Sequence, residues 1–103
     1  MNQETKASLI TLLKKNQSRL QAYGVARLGL FGSFVREQQK QESDVDLLVE
    51  FKPGQKTFHN FMYLGMLLED ILGREVDLLT PESLSPYIGP HILREVEYVS
   101  FSH

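Results

Sequence analysis

The chain has 103 residues, of which 42% are hydrophobic and 23% are charged, and it contains no cysteine. These values are typical of one folded domain, 1–103, and exclude disulfide scaffolds, thiolate metal sites and cysteine nucleophiles. The net charge of −2 argues against a general nucleic-acid-binding protein, so we expect no direct nucleic-acid binding. Signal-peptide and membrane-span patterns are both missing, and we therefore expect a cytoplasmic protein without a membrane partner.

The charge is unevenly distributed along the chain. Residues 1–43 carry seven Lys/Arg and three Asp/Glu, a balance of +4, whereas residues 44–103 carry four Lys/Arg and ten Asp/Glu, a balance of −6. Such an asymmetry fits either a site that needs concentrated carboxylates or a set of solvated acidic faces. The positions of individual acids have to distinguish these two interpretations.

The first part of the chain predicts a helix, a strand and a second, short helix. Leucines recur at three-, four- and seven-residue steps and predict a helix over 4–22. The apolar segment 25–31 predicts a strand, which Gly32 and Ser33 interrupt. Ser33 is a candidate N-cap for a short helix over 34–40.

The second part of the chain predicts two strands separated by a long helix. Apolar and polar residues alternate over 44–51, which is typical of a half-buried strand. A helical period runs through 57–72, and an apolar strand follows at 75–80. A short helix over 90–96 and a last short strand over 98–101 complete the predicted elements.

This order of elements predicts an α/β or α+β domain. Amphipathic helices and strands have to bury their apolar faces against each other, so the helices should cover a small sheet of three or four strands. The directions of the strands do not follow from the pattern.

Two acids on the second predicted strand are the first candidate functional feature. Asp44 and Asp46 are two residues apart, so their side chains should point to the same side of the strand. Two carboxylates at this spacing repel each other unless a cation neutralises them, and magnesium prefers such oxygen ligands. The alternative is an exposed strand face with two solvated acids, and a lone Asp-x-Asp pair fits that alternative better.

Two further features have a functional and an ordinary interpretation. Gly32 and Ser33 follow a strand and precede a predicted helix, where free amide groups can bind phosphate, but a simple turn has the same pattern. Asp77 lies inside an otherwise apolar strand, and buried acids are rare unless they are paired or bound to metal. An acid hydrogen-bonded to nearby backbone or to Arg74 would explain Asp77 equally well.

In combination these residues resemble the signature of the nucleotidyltransferases related to DNA polymerase β. The family pattern Gly-Ser-x-x-Arg followed by Ser-Asp-x-Asp-Leu-x-Val is matched by Gly32, Ser33, Arg36, Ser43, Asp44, Asp46, Leu47 and Val49. Asp77 is similar to the third acid of the family, which lies on a later strand. The family often has glycine directly after the arginine, where this chain has Glu37. At this length the chain resembles the minimal nucleotidyltransferases, and the implied fold is polymerase β-like with a small mixed sheet.

The resemblance implies a magnesium-dependent transfer of AMP from ATP to a hydroxyl group. Asp44 and Asp46 would hold one or two magnesium ions. Asp77 would complete the second metal position and help to deprotonate the attacking hydroxyl. Gly32 and Ser33 would bind the β- and γ-phosphates of ATP.

The remaining polar residues have more open roles. Arg36 would either add positive charge at the phosphates or pair with a carboxylate. Ser43 is expected to fix the turn before the acids rather than touch the substrate. The histidines His59, His91 and His103 have no metal-ligand spacing and are expected to be structural or surface residues.

The resemblance also implies a protein partner. Minimal nucleotidyltransferases often occur with a HEPN-type ribonuclease toxin, for which they act as the antitoxin by adenylylating a tyrosine, so a hetero-oligomer is expected. One alternative is a non-catalytic antitoxin that neutralises its partner by binding alone. Transfer to a small molecule is a third interpretation, ranked lower because relatives with that activity usually need an added domain for the acceptor.

Overall fold

The computed structural model describes residues 5–40 and 43–101. In these ranges the helices and strands are α1 (Lys6–Lys15), α2 (Gln17–Ala22), β1 (Val25–Phe31), β2 (Val45–Phe51), α3 (Phe58–Leu72), β3 (Val76–Leu79), α4 (Gly89–Glu95) and β4 (Glu97–Tyr98). Two short 3-10 turns, Gly32–Phe34 and Pro81–Ser83, follow β1 and β3. None of the helices in this part of the chain is long and apolar enough to cross a membrane.

The strands form one mixed sheet in the order β3-β2-β1-β4. β1 is antiparallel to both β2 and β4, whereas β2 and β3 are parallel. A parallel pair needs a crossover connection, and α3 supplies it between β2 and β3. The predicted fold class, a small mixed sheet with covering helices, is confirmed.

The two faces of the sheet bury different side chains because successive strand residues point to opposite faces. On β2, Val45, Leu47 and Val49 enter the larger core, which they share with buried leucines of α1, α2 and α3. Leu48 points the other way and packs with Phe31 and Ile92 in a smaller core beside α4. The alternation predicted for β2 therefore holds, and Asp46 belongs to the face that α4 covers.

The single helix predicted over 4–22 is interrupted at Asn16, so this prediction is wrong in its continuity. The Asn16 side chain donates to the Leu12 carbonyl (2.9 Å) and accepts from the Arg19 guanidinium (3.1 Å). Asparagine side chains that bond to nearby backbone compete with the helical hydrogen bonds. The leucine pattern persists across the break because Leu9, Leu13 and Leu20 are all buried.

The short helix predicted over 34–40 is not formed. The chain makes a 3-10 turn at Gly32–Phe34 instead, without a side-chain cap, so the predicted capping role of Ser33 is also wrong. Turn residues follow at 35–37, and the φ of Glu37, 57°, is in the left-handed region. A side chain is disfavoured there because Cβ approaches the following carbonyl oxygen, and this position is where the resembled family often has glycine.

Replacing Glu37 by glycine should therefore stabilise the protein. A left-handed backbone conformation destabilises a non-glycine residue by about 1–2 kcal/mol. Glycine avoids this cost, but its greater freedom in the unfolded chain reduces the gain by about 0.5–1 kcal/mol. We expect Glu37→Gly to raise the free energy of unfolding by about 0.5–1 kcal/mol in urea denaturation. Glu37→Ala is the matched control, because it removes the charge but keeps Cβ. Equal stability of the two variants would contradict the strain at this position.

The predictions for the later elements agree closely with the structure. The Thr57 side chain accepts from the Asn60 amide (3.0 Å) at the start of α3, and Gly73 ends the helix with a φ of 66°. The helix predicted over 90–96 is present at Gly89–Glu95. The last strand is shorter than expected, since β4 pairs with β1 only at Tyr98 and Glu97.

Candidate active site

The three predicted acids lie together at one end of the two parallel strands. Asp46 of β2 is paired directly with Asp77 of β3. Directly paired residues of parallel strands point to the same side of the sheet, and Asp44 precedes Asp46 by one strand repeat. The sheet register therefore places the Asp46 and Asp77 carboxylates on the face that α4 covers, and Asp44, directly before β2, lies close enough to add to the repulsion at Asp46.

The electrostatic environment raises the pKa of Asp46 from 3.8 to about 6. Burial is the largest cause, because it disfavours the charged form, and the negative charges of Asp77 and Asp44 follow. Arg36 opposes the shift, and Glu95 adds to it. Asp46 is thus a half-buried carboxyl group in a locally negative environment without sufficient cationic compensation.

The neighbouring acids differ from Asp46 in burial. Asp44 and Asp77 are both exposed, so the expectation that Asp77 is a buried acid is wrong. It lies on β3, which is an edge strand of the sheet formed by residues 5–40 and 43–101. The repulsion between these acids and Asp46 remains, because Asp77 is paired directly with Asp46 and Asp44 lies two residues before it.

The acids have the donor chemistry that a magnesium ion requires. Magnesium takes hard oxygen ligands and leaves positions for water and phosphate, and carboxylates that repel each other are stabilised by such an ion. None of Asp44, Asp46 and Asp77 forms an ion pair within 5–40 and 43–101. In the same ranges no three acid or histidine side chains already have the close arrangement of a formed metal site. The chemistry of these donors therefore fits magnesium, although their side chains are not already arranged around an ion position.

Gly32 is in direct contact with the Asp46 carboxylate. Its φ of 76° suits glycine, and a Cβ at this position would lie 2.9 Å from Asp46 Cγ and overlap Asp46 Oδ2. Only a residue without a side chain allows the carboxylate to remain there. The glycine of the predicted Gly-Ser pair therefore shapes the position of the half-buried acid as well as the turn.

Glu95 is a site residue that the sequence analysis missed. Its Oε2 accepts a hydrogen bond from the Gly32 amide (3.0 Å), and its Oε1 accepts one from the Arg36 guanidinium (2.7 Å). Of the two roles left open for Arg36, pairing with a carboxylate is the one observed. The partner is distant in sequence, and no local pattern identifies it.

The serines of the motif have different positions. Ser33 is half-buried in the 3-10 turn, and its carbonyl accepts from the Gln38 amide (2.8 Å). The Ser43 hydroxyl accepts from the Lys40 amide (2.8 Å), and the Ser43 carbonyl accepts from Arg74 (3.1 Å). These bonds fix the turn directly before Asp44, which is the role expected for Ser43.

A cleft of about 460 Å³ adjoins these residues. Its polar lining consists of Gly32, Arg36, Asp46, His91 and Glu95, and its apolar lining of Phe31, Ile88 and Ile92. His91 and His59 are both exposed surface residues as expected, although His91 also faces the cleft, whereas His103 lies outside the described residues. The cleft is large enough for a small phosphorylated ligand and places Asp46 within reach of it.

The chain is similar to proteins of known class over most of its length. The family described as "Nucleotidyltransferase domain" matches residues 9–99. Protein adenylyltransferase MntA of Thermococcus cleftensis is 41% identical over 92 residues, 89% of this chain and 90% of the relative. A solved structure named for a minimal nucleotidyltransferase has a TM-score of 0.79 at 30% identity, covering 94% of this chain and 98% of that chain.

A more distant solved structure has the same fold. It is a complex of the tri-AMPylated HEPN toxin of Shewanella oneidensis with its MNT antitoxin. The TM-score is 0.62 at 18% identity, and the match covers 90% of this chain and 73% of that chain.

Proposed function

Since the chain belongs to the nucleotidyltransferase domain family and is an enzyme of its minimal type, we propose that it transfers AMP from ATP to a tyrosine hydroxyl of a HEPN-type ribonuclease. In this proposal the two proteins form a complex in the cytoplasm, and the chain acts as the antitoxin. The name of the Thermococcus relative supports a protein acceptor, and the AMPylated Shewanella toxin in complex with an antitoxin of the same fold supports a HEPN-type partner.

The single observation that favours catalysis over simple binding is the environment of Asp46. Burial and two neighbouring acids raise its pKa to about 6, so its ionised form is destabilised in the free protein. A surface used only for docking has no need for carboxylates that repel each other. A site that binds cations and transfers protons needs such carboxylates. Carboxyl groups with a perturbed pKa in a cleft are typical of such sites.

The residues have separable roles in the proposed reaction. Asp44, Asp46 and Asp77 would hold one or two magnesium ions, which supply charge neutralisation at the reacting phosphate when bound. Gly32 and Ser33 would bind the β- and γ-phosphates through the backbone and the hydroxyl group. The tyrosine oxygen forms a bond to the α-phosphorus while the bond to the β-phosphate oxygen breaks. Pyrophosphate leaves, and the tyrosine proton passes to Asp77 and then to water.

The proposal is tested by intact-protein mass spectrometry of the partner. The chain is incubated with its HEPN-type partner, ATP and magnesium, and the partner should gain the mass of one or more AMP units. A double variant, Asp44→Asn with Asp46→Asn, should abolish this gain. Asp70→Asn is the matched control, because Asp70 is an exposed acid on α3 and should leave the gain unchanged. A tight complex with unmodified partner would instead identify a non-catalytic antitoxin.

A further inference from the structure

The Glu95 carboxylate accepts hydrogen bonds from two donors that line the cleft. Glu95 accepts from the Gly32 amide through Oε2 at 3.0 Å and from Arg36 through Oε1 at 2.7 Å. The proposed function assigns Gly32 to phosphate binding and leaves Arg36 as a neighbouring cation. The chain therefore places an anion of its own where a phosphate oxygen would be bound.

The stability of α4 does not explain why Glu95 stands at its C-terminal end. It is the last residue of α4, and a negative charge at the C-terminal end of a helix is opposed by the helix dipole. Glu95 also lies close enough to Asp46 to add to the repulsion there. The two hydrogen bonds to Gly32 and Arg36 offset these costs, so they fix the side chain in the cleft.

The Glu95 side chain is positioned so that it can move away from Gly32 and Arg36. Its exposed fraction is 24%, and that of the Arg36 side chain is 51%, so the pair lies at the mouth of the cleft rather than in the core. The Gly32 amide has a single hydrogen and cannot donate fully to Glu95 and to a phosphate at once. A second anion in the same place would also be repelled by the Glu95 carboxylate.

We propose that Glu95 is a resident anion of the phosphate site, which ATP has to displace and which returns when pyrophosphate leaves. This role rests on the proposed function, because it assumes that the Gly32 amide binds phosphate. Glu95 is then a positioning residue that lowers the affinity for ATP and for pyrophosphate, while it keeps Gly32 and Arg36 in place in the free protein.

The proposal is tested by calorimetric titration of the full chain with ATP and, separately, with inorganic pyrophosphate, both in the presence of magnesium. Glu95→Ala should bind both ligands about tenfold more tightly, as expected when one competing charge-assisted hydrogen-bond pair is removed. Glu95→Gln keeps the shape and one acceptor, and should give a smaller gain of the same sign. Glu97→Gln is the matched control, because Glu97 pairs with Lys6 (3.0 Å) outside the cleft and should leave both affinities unchanged.

The sign of the change separates this role from a purely structural one. If Glu95 only attached α4 to the sheet, both Glu95 variants would bind ATP more weakly, and that result would overturn the proposal. Unchanged affinities would overturn it as well, while leaving the proposed function intact. If neither the natural chain nor any variant bound ATP or pyrophosphate, the proposed function itself would fail together with this role.

Discussion

Asp46→Asn is expected to lower the rate of nucleotidyl transfer by about a thousandfold or more. Under the proposed function, the ionised carboxylate would contribute several kcal/mol through the cation that it would hold, and about 4 kcal/mol corresponds to three powers of ten in rate. The amide keeps the size of the side chain and its contact with Gly32. The rate of AMP transfer to the partner, measured against Asp70→Asn, checks this expectation. A variant with more than a tenth of the original rate would contradict the site assignment.

The same substitution should stabilise the folded chain at neutral pH. The pKa of Asp46 is 3.8 in a model peptide and about 6 in the folded protein. Between these values the folded state binds more protons than the unfolded state, so stability decreases as the pH rises from about 4 to about 6. Above pH 6 the charged group destabilises the fold by about 1 kcal/mol, a value reduced for its partial exposure to solvent.

Urea denaturation at pH 5 and at pH 7 measures this effect. The natural chain should lose more stability between the two pH values than Asp46→Asn, which has no carboxyl group at this position. The variant should therefore be more stable than the natural chain at pH 7, and the difference in stability between the two proteins should be smaller at pH 5. An identical pH dependence of the two proteins would show that Asp46 has an ordinary pKa.

Gly32→Ala is expected to destabilise the fold and to impair nucleotidyl transfer. The added Cβ would overlap the Asp46 carboxylate, and alanine would also have to adopt a φ of 76°. Left-handed strain and overpacking together should cost about 3 kcal/mol of stability. Nucleotidyl transfer should fall at least about a hundredfold, because Asp46 has to move from its position between Gly32 and the neighbouring acids.

Gly65→Ala is the matched control for this prediction. Gly65 lies inside α3, and a Cβ there would meet nothing within 4 Å. Alanine in a helix interior is more stable than glycine by about 0.5–1 kcal/mol, so this variant should gain stability and keep full activity. Thermal unfolding and transfer assays on the two variants test both expectations. Similar behaviour of the two variants would mean that the space around Gly32 is not critical.

The parts of the fold that the sequence predicts well depend on local pattern. The alternation over β2 and the helical period over α3 follow from side-chain geometry within one element, and Gly73 ends α3 by its own backbone preference. The interruption at Asn16 and the left-handed Glu37 are different. At Asn16 a single residue outweighs the periodic signal around it, which a window of many residues does not detect. The helix predicted over 34–40 was based on a candidate cap alone, and no local pattern indicates the left-handed Glu37.

In the candidate site, too, residues with a local sequence pattern were predicted, whereas contacts between residues far apart in sequence were not. The spacing of Asp44 and Asp46 makes them candidates, the resemblance to the nucleotidyltransferases favours their functional interpretation, and the parallel register explains why Asp77 lies beside Asp46. Glu95 was missed because its contacts with Gly32 and Arg36 join residues about 60 positions apart. The burial of Asp77 was misjudged because the strand order, which places β3 at an edge, does not follow from the sequence.

The unequal cores on the two faces of the sheet have a consequence for local unfolding. The face behind the strands is held by leucines from three helices, whereas the cleft face is closed by the small group of Phe31, Leu48 and Ile92. Because so little apolar area is buried beneath it, α4 should open at a lower free energy than the central strands. Its amide hydrogens should exchange with solvent before those of β1 and β2. Under the proposed function, the cleft can thus widen for the acceptor while the central strands remain folded.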